Sequence, residues 1–447
     1  MKLTSRRGGK NDGTGRQAGP QTVSNMGFRG HDMCYPPDPL SLTGLSRIVE
    51  PSAAAPAEKT GIAWTVRPPV VLQVLPALET GGVERGTVEI AAALSAAGAR
   101  PVVVSVGGLL VRDVERAGAR HITLPVDSKN PATIYRNVTR LAQVIQECGA
   151  DIIHARSRAP AWSALGAARQ TGCAFLTTFH GTYGAGNRVK RSYNSVMTRG
   201  ELIIAISNFI AGHMYQVYAV DPARIRVVPR GVDLEVFDPA HVSAERVIQL
   251  SRAWRLPDDV PVVMLPGRLT RWKGQLVLIE ALAKLGRGDV RCVLVGSDQG
   301  RHAYRRELEE TARRLGVAAQ VQIAGHCRDM AAAYMLSDVV VSASTDPEAF
   351  GRVAAEAQAM GRPVIATDHG GARETVLPDR TGWLVRPGDS DALAAALETA
   401  LSLDEAARGR IAGAAMQFIR ETFSLARMRT ATLSVYDELM VRRYGSG

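Results

Sequence analysis

The chain has 447 residues, is 46% hydrophobic and 22% charged, and carries a formal net charge of +11. Such a composition is typical of a globular protein of two or three domains, and the positive charge indicates either anionic partners or only a solvated, positively charged surface. Its five scattered cysteines form no CxxC pair and only 5% of its residues are aromatic, which argues against a disulfide framework, a cysteine-rich zinc site and stacking surfaces for single-stranded nucleic acid. No apolar run approaches the roughly 18–20 residues that span a bilayer, and the first thirty residues lack a signal-peptide pattern, so we predict a cytoplasmic protein.

Residues 1–66 differ in composition from the rest of the chain. They are rich in Gly, Pro, Ser, Ala and Arg and show little periodicity, so we predict a disordered basic N-terminal extension. A tail that contacts acidic surfaces is one interpretation. We favour an extension without function, such as an over-called translation start would produce.

From Val70 onward, short apolar runs alternate with amphipathic stretches, beginning with VVLQVLPAL and ERGTVEIAAALSAAG. Apolar strands that alternate with helices predict a parallel sheet covered on both faces. The alternation runs through residues 67–235, pauses in a polar link over 236–259 and restarts over 260–410. We therefore predict an α/β protein with two doubly wound, Rossmann-like domains that face a cleft, followed by helices over 411–447 that pack back on the N-terminal domain.

Two short motifs directly follow predicted strands. Gly81 and Gly82 of ETGGVERG stand at a strand-to-helix turn, where glycines let a ligand approach the positive end of a helix; a tight turn alone would need the same residues. Arg268 and Lys273 of PGRLTRWKG follow the first strand of the second domain. Both can point at one anion such as a pyrophosphate, and two solvated surface cations are the alternative.

The segment STDPEAFGRVAAEAQAMG joins an apolar strand to a helix that we expect to begin near Phe350 or Gly351. Free amides and a positive dipole at the helix start would then face the cleft. Glu348 precedes the helix and Glu356 lies inside it, so two acceptors flank the amide donors, which suits a ligand with hydroxyls at two ends and phosphate between them. In the alternative interpretation Asp346 or Glu348 caps the helix and Glu356 is solvated.

Together, EAFGRVAAE, GRLTRWKG, the GG after the first strand and the VVPRGVD bridge resemble a glycosyltransferase of the GT-B fold, most similar to the retaining family 4. The resemblance covers about residues 70–440. The segments PALETGGVERGTVEIAAAL, HARSRAPAWSAL and TTFHGTY are similar to bacterial members that build lipopolysaccharide core or other envelope glycans. The resemblance implies a hexosyltransferase that moves a sugar from a nucleotide-diphosphate sugar to a glycan or glycolipid acceptor, without a cofactor.

The resemblance also implies roles for the matching positions. Glu356 would bind the ribose hydroxyls of the donor and Glu348 the hydroxyls of the donor sugar. His180 of TTFH would lie near the same sugar; without the resemblance it would be interpreted as a strand-end histidine bonded to backbone. Arg268 and Lys273 would neutralise the departing diphosphate. The other implied donor-binding positions are Gly81 and Gly82 at the phosphates, the amides of Phe350, Gly351 and Arg352 between sugar and phosphate, and Gly325 and His326 near the base.

The expected mechanism follows from charge. Cleavage of the glycosidic bond produces an oxocarbenium-like sugar and a diphosphate, and preorganised positive charge is the largest available stabilisation. A metal-binding D-x-D motif is not found at a strand end in the predicted cleft. Asp389 and Asp391 of GDSDAL have that spacing, but they precede a predicted helix and are interpreted as caps. We therefore predict metal-independent transfer with retention and no metal ligands. Arg230 departs from the family pattern, which commonly has Asn; it would either reach acidic groups in the cleft or brace the two domains.

A basic segment, NRVKRSYNSVMTRG, lies in the acceptor-side domain. Val189 and Tyr193 begin an apolar face at helical spacing, and the surrounding cations are Lys190, Arg191 and Arg199. Such a helix suits anionic lipid headgroups or a phosphorylated glycolipid, and an ordinary core-facing helix with a solvated charged face is the alternative. The family resemblance favours peripheral contact with the inner face of the cytoplasmic membrane.

Two other functions fit parts of the sequence. A nucleotide-sugar epimerase shares the two-domain architecture, although the GRLTRWKG and EAFGRVAAE pair disfavours it. A basic membrane- or nucleic-acid-binding protein without catalysis would need clustered cations with interleaved aromatics, which the sequence does not show outside the N-terminal tail. We therefore predict a nucleotide-sugar and a glycan or glycolipid as partners, and no nucleic acid.

Overall fold

The computed structural model describes residues 62–79, 81–184 and 186–445. Within them the predicted alternation forms two parallel sheets flanked by helices, which confirms the α/β architecture. The strands are β1 (Val70–Val74), β2 (Arg100–Ser105), β3 (Arg120–Thr123), β4 (Ile152–Ala155), β5 (Ala174–Phe179), β6 (Leu202–Ala205), β7 (Ile225–Val227), β8 (Val262–Pro266), β9 (Arg291–Val295), β10 (Val321–Gly325), β11 (Val339–Ser342), β12 (Val364–Thr367) and β13 (Trp383–Val385).

The helices fill most connections between these strands. They are α1 (Gly82–Ala96), α2 (Val111–Arg116), α3 (Pro131–Cys148), α4 (Arg158–Thr171), α5 (Arg188–Asn194), α6 (Asn208–Tyr218), α7 (Ala244–Trp254), α8 (Gln275–Leu285), α9 (His302–Arg314), α10 (Met330–Leu336), α11 (Arg352–Ala359), α12 (Ala372–Thr375), α13 (Ser390–Leu401), α14 (Glu405–Thr422) and α15 (Leu425–Tyr444). None of those within the described ranges is both long and apolar enough to cross a membrane.

In both sheets, the direction in which successive strands are added reverses at one point. The strand order is β3-β2-β1-β4-β5-β6-β7 in the N-terminal sheet and β10-β9-β8-β11-β12-β13 in the C-terminal sheet, with parallel pairing in each. The connections therefore change direction between β1 and β4 and between β8 and β11. Doubly wound sheets bind ligands at such switch points, beyond the carboxyl ends of the strands.

The central strands are buried along their whole length. All residues of β1, β4, β8 and β11 are buried, because helices cover both faces of each sheet. Their sequences are accordingly runs of Val, Ile and Leu without polar alternation. This pattern made the strands predictable from the sequence.

The last helix packs on the N-terminal sheet. The chain crosses back between α14 and α15, where Val232 and Ser424 form a β-bridge and the amide of Leu425 donates to the Val232 carbonyl at 2.8 Å. Tyr436 of α15 is fully buried in the cluster that covers β1. A Cβ on Gly231 would lie 2.5 Å from the Leu425 Cα, so this close crossing requires a glycine in the VVPRGVD bridge.

The segment predicted as a polar link, residues 236–259, contains α7 and belongs to the C-terminal half. Trp254 at its end is buried in a core cluster of that half. Arg246 donates to Asp329 at 2.7 Å at the start of α10. The polar sequence reflects the solvated face of an amphipathic helix and not an unstructured connection.

The end of the predicted N-terminal extension is also ordered. The indole nitrogen of Trp64 donates to the Ala97 carbonyl at 2.7 Å, and the hydroxyl of Thr65 donates to Asp437 at 2.6 Å. These contacts tie residues 62–66 to α1 and α15, so the structure departs from the predicted disorder there. The rest of the predicted extension, residues 1–61, lies outside the described residues.

Candidate functional site

Lys273 and Glu348 form an ion pair at the switch point of the C-terminal sheet. Lys273 ends a 3₁₀ turn after β8, and Glu348 lies in the loop after β11. The hydroxyl of Ser344 donates to the same carboxylate oxygen at 2.6 Å, and the Lys273 ammonium lies 4.3 Å from the ring centroid of Trp272. Only 14% of the Lys273 side chain and 17% of the Glu348 side chain are exposed. The pair is therefore held in one orientation, largely away from water.

Arg268 lies at the same edge of the sheet but is exposed. It follows β8 directly, and its carbonyl accepts from the side-chain amide of Gln275 at 3.0 Å. Across the described part of the chain, its guanidinium forms no ion pair. Its side chain thus lies at the same switch point as Lys273 without a carboxylate partner in the described ranges.

Helix α11 begins at Arg352, as the sequence predicted to within one or two residues. Gly351 precedes it in the left-handed region at φ 88°, and a Cβ there would lie 3.0 Å from the Thr375 hydroxyl. Phe350 is buried and packs edge-on against Phe423, with ring centroids 5.4 Å apart. The start of the helix is therefore fixed, while its first amides lack partners within the helix.

Glu356 is not a solvated helix residue. Its side chain is 15% exposed, the phenol of Tyr334 donates to Oε2 at 3.0 Å, and Arg352 Nε lies 3.7 Å from Oε1. Burial raises the pKa of Glu356 above its ordinary value, against the opposing effects of Arg352, Tyr334 and Arg85. Burial and the Glu356 charge together raise the pKa of Tyr334. Because Arg85 belongs to α1, cations from both halves of the molecule lower the pKa of this carboxylate.

The start of α1 faces the start of α11. Gly81 is the N-cap residue of α1 and Gly82 its first residue. A Cβ on Gly82 would lie 3.4 Å from the guanidinium nitrogens of Arg352. The glycine turn of one half and the cationic helix start of the other are therefore neighbours.

His180 and Arg230 form a hydrogen-bonded pair in the N-terminal half. His180 follows β5, and its Nδ1 lies 3.1 Å from Arg230 Nη2; Nη1 of the same guanidinium donates to the Gly82 carbonyl at 3.0 Å. Burial lowers the pKa of His180 well below its ordinary value, and the neighbouring cations Arg230 and Arg156 lower it further. Among the residues that the structure describes, Arg230 hydrogen-bonds to no acid, and its partners Gly82 and His180 both belong to the N-terminal half, so neither role predicted for it is observed.

The two halves contact each other beside this cluster. The hydroxyl of Ser207 donates to the Ala349 carbonyl at 2.6 Å, and Glu374 accepts from the amides of Asn208 at 2.9 Å and Phe209 at 2.7 Å. A carboxylate from α12 therefore caps the N-terminus of α6 in the other half. Burial raises the pKa of Glu374. No sequence motif pointed to Glu374, since its partners are about 165 positions away.

Some predicted site residues lie away from this cluster. Gly325 ends the edge strand β10, and His326 is exposed after it. Within the described ranges, no hydrogen bond or ion pair joins His326 to Glu348 or Glu356, and only the flanking Ala324 and Cys327 pack against the core cluster that contains Tyr334.

Of the two predicted caps of α13, Asp389 is confirmed, because it accepts from the Ala392 amide at 2.9 Å. Asp391 is not a cap: it lies inside the first turn of the helix and forms an ion pair with Lys284 at 2.7 Å.

The predicted acceptor-side cations lie on the surface of the N-terminal half. Lys190 and Arg191 are exposed on α5, and the Arg199 guanidinium lies 5.4 Å from the Trp162 ring centroid. Val189 is 78% exposed and does not belong to a buried face. The chain turns from α5 into a 3₁₀ helix at Ser195, and the later members of the predicted apolar face, Val196 and Met197, are buried there.

Arg156, Tyr334 and Ser344 contact residues of the two switch points but were not predicted from the sequence. Arg156 follows β4 at the N-terminal switch point, is 4% exposed, and donates to the side-chain oxygen of Gln73 at 2.9 Å. Its place directly after an apolar strand was the available signal. Tyr334 lies in α10 and could not be associated with Glu356 without the tertiary structure.

Two buried histidines predict a loss of stability in mild acid. His154 accepts or donates at both ring nitrogens, to Tyr436 at 2.8 Å and Thr178 at 2.7 Å, and burial lowers its pKa well below the ordinary value, as for His180. The unfolded chain takes up these protons near pH ~6.5 and the folded chain does not, so the stabilisation is complete above that pH and falls below it. We expect a decrease of about 1.4 kcal/mol per pH unit for each histidine kept neutral.

Urea denaturation at several pH values between about 7.5 and about 5.5 measures this slope. The His154→Gln variant should flatten it. His302→Gln, at an exposed histidine, is the matched control and should leave the slope unchanged. An unchanged slope in His154→Gln would contradict the assignment.

The family models and solved structures that this chain resembles are those of glycosyltransferases. Residues 80–236 match the family model Glycosyltransferase Family 4, and residues 248–416 match Glycosyl transferases group 1. A crystal structure of a glycosyltransferase from Rickettsia africae is 40% identical with a TM-score of 0.78, and the match covers 83% of this chain and 99% of that one. The structure of Anabaena HepE in complex with UDP and glucose has a TM-score of 0.73 at 24% identity, covering 83% of this chain and all of that one, and shows a shared fold.

Among curated proteins, a D-inositol 3-phosphate glycosyltransferase from Xylanimonas cellulosilytica is 38% identical over 251 residues. That match covers 56% of this chain and 59% of the relative, so the chain spans little more than half the length of this relative. The two family models and the full-length likeness to the Rickettsia structure are consistent with the two sheets and the facing helix starts described above. The chain therefore belongs to the GT-B glycosyltransferases, with a family 4 domain in its N-terminal half and a group 1 domain in its C-terminal half.

Proposed function

We propose that the chain transfers a hexose from a nucleotide-diphosphate sugar to a hydroxyl of a glycan or glycolipid. The observation that supports this most strongly is the row formed by Glu348 with Lys273, the free start of α11, and buried Glu356. Along the chain the two carboxylates flank the amide donors of the helix start, and Lys273 pairs with the first carboxylate. A ligand with hydroxyls at both ends and a diphosphate in the middle fits this order.

Each residue then has a task. Glu356 binds the ribose hydroxyls, and Glu348 and His180 contact the hydroxyls of the donor sugar. Lys273, Arg268 and the α11 amides neutralise the diphosphate, which Gly81 and Gly82 approach from the other half. We propose that Gly325 and His326 pass near the base, as the family resemblance implies.

In the proposed reaction the bond between the anomeric carbon and the diphosphate oxygen breaks, and its electron pair leaves with the diphosphate. The acceptor hydroxyl attacks from the same face, and its proton passes to the departing phosphate oxygen. Glu348 already accepts from Lys273 and Ser344, which makes it a poor covalent nucleophile and a better stabiliser of positive charge on the sugar. We therefore propose retention without a covalent intermediate, a metal or a cofactor.

A donor screen tests this directly. UDP-, GDP- and ADP-sugars should be compared by thermal shift, because a ligand that binds only the folded state raises the melting temperature. We expect one nucleotide class to raise it, and transfer with the matching donor to continue in EDTA. Activity that is lost in EDTA and restored by Mn²⁺ would contradict the metal-free proposal.

The acceptor has two candidate classes. The sequence favours an envelope glycan such as lipopolysaccharide core, whereas the curated relatives are named for D-inositol 3-phosphate. Inositol 3-phosphate and a phosphorylated glycolipid are both anionic, and the exposed Lys190 and Arg191 suit an anionic acceptor or an anionic membrane surface on the inner face of the cytoplasmic membrane. Product formation with inositol 3-phosphate and with a phosphorylated glycolipid separates the classes. Sedimentation with anionic vesicles tests membrane contact.

The epimerase alternative shares this architecture, but both matching family models are glycosyltransferase models and disfavour it. Incubation with donor alone distinguishes the two: interconversion of the sugar without an acceptor supports the epimerase. Transfer that requires an acceptor supports the transferase. Binding to vesicles or nucleic acid with neither reaction would instead support a non-catalytic protein.

A further inference from the structure

Arg230 occupies the position where the family commonly has Asn, and it is buried. Only 9% of the residue is exposed. Its guanidinium donates from Nη1 to the Gly82 carbonyl at 3.0 Å and from Nη2 to His180 Nδ1 at 3.1 Å. One side chain therefore contacts both the glycine turn and the strand-end histidine.

Stability alone does not account for this guanidinium. In the described ranges it forms no ion pair, and burial together with Arg352 and Arg156 lowers the pKa of Arg230 to about 9. Glu84 and Glu89 offset this only from a distance. A buried cation without a hydrogen-bonded acid is costly. Its presence therefore points to an effect on the two groups that it contacts, Gly82 and His180.

The contact with His180 determines where the imidazole carries its proton. Arginine only donates hydrogen bonds, so Nδ1 must present its lone pair and the proton of the neutral ring lies on Nε2. The other titratable groups that face His180 are Arg156, His154 and Tyr183, whose hydroxyl accepts from the His180 amide at 3.3 Å. Two of these neighbours add to the cost of a proton on the ring.

The Nε2 atom is buried and has no hydrogen-bond partner among the residues that the structure describes. A neutral ring with its proton on Nε2 is a hydrogen-bond donor there and cannot act as an acid at Nδ1. Protonation of Nδ1 would set an N–H group against the Arg230 N–H group. The Arg230 contact is therefore lost if the ring becomes charged.

We infer that Arg230 is a positioning residue that holds His180 neutral, with its proton on Nε2, and ties that ring to the Gly82 turn. The role of His180 beside the donor sugar rests on the proposed function, but its tautomer does not. Because one guanidinium bonds to both partners, the ring and the phosphate-side turn move together. An Asn side chain is too short to reach both from position 230.

Histidine ¹⁵N NMR tests the tautomer without any substrate. Protein labelled at its histidines should show His180, identified by its absence in His180→Gln, with a pyrrole-type Nε2 and a pyridine-type Nδ1 from about pH 8 down to about pH 5.5. In Arg230→Met the ring should populate both tautomers and titrate at higher pH. Arg226→Met removes an arginine of β7 that pairs with Glu438, and it should leave the His180 signals unchanged. A wild-type ring protonated at Nδ1, or identical signals in Arg230→Met, would overturn the inference.

Kinetics supply the second readout. In Arg230→Met we expect kcat/KM for the donor to fall on the order of 10²-fold and an acidic limb to appear between about pH 5.5 and about pH 7, where the wild type shows none. Arg230→Lys keeps a charge but cannot bond to both partners, so it should recover less than the full loss. A uniform loss without a change in the pH profile indicates a merely structural role and overturns the inference. If no transferase activity exists, the NMR result still decides the tautomer, so the two proposals fail separately.

Discussion

Replacing Arg268 and Lys273 together by methionine is expected to lower turnover by about 10²–10³-fold or more, because these cations would stabilise the diphosphate as it departs. The buried position of Lys273 against Glu348 and Trp272 makes its charge preorganised. Steady-state kcat with saturating donor is the measurement. The control is Lys284→Met, which removes a lysine of the same half that pairs with exposed Asp391. Turnover near that of the wild type in the double variant would contradict the leaving-group role.

Loss of Lys273 also leaves Glu348 without its ion-pair partner, and this effect must be separated. Lys273→Met, Glu348→Gln and the combined variant form a double-mutant cycle. If Lys273 acts only by orienting Glu348, the combined variant should lose no more than the worse single variant. We expect the combined loss to be larger, because Lys273 also acts on the diphosphate.

Replacing Glu356 by glutamine is expected to raise the donor KM by about 10- to 100-fold with a smaller effect on kcat, because hydrogen bonds to a charged carboxylate contribute about 1.5–3 kcal/mol. Binding of the nucleoside diphosphate measured by calorimetry should weaken equally. Tyr334→Phe removes only the hydroxyl that donates to Glu356 and is the matched control. It should raise the KM less.

A donor that lacks the ribose hydroxyls makes this test specific. In the wild type it should bind as weakly as the intact donor binds to Glu356→Gln, and it should lose nothing further in the variant. An unchanged KM in Glu356→Gln, or equal additional losses with the deoxy donor, would show that Glu356 does not contact the ribose.

The sheets were predictable because their strands are buried on both faces. Runs such as VVLQV at β1 and VVVS at β11 carry no polar alternation, and the glycine-rich turns after them mark the ends of the strands. Helix α7 was missed because its exposed face dominates its composition, and only the burial of Trp254 reveals its packing. Local pattern therefore identified the elements, but not which half each one joins.

The site was predictable only in part, for a related reason. Lys273 and Glu348 were predicted from their place after strands and Glu356 from its place in the helix that follows, and the structure brings the first two into contact. Their roles stay predictions. The contacts of Arg230 with Gly82 and His180 join residues 148 and 50 positions apart, so no spacing rule could reveal them. His326 lies apart from the cluster because β10 is an edge strand.

The return of α15 to the N-terminal sheet has a consequence for biosynthesis. The N-terminal half is translated first, but one apolar face of its sheet stays exposed until the final helix leaves the ribosome. Tyr436 and Leu439 of that helix complete the core cluster on this face, which includes Val71 of β1. The nascent chain must therefore keep an apolar face exposed while the entire C-terminal half is made, and such intermediates are prone to aggregate. The long sequence separation of these contacts also slows folding. Expression of either half alone should accordingly yield insoluble material, even though each contains a complete sheet.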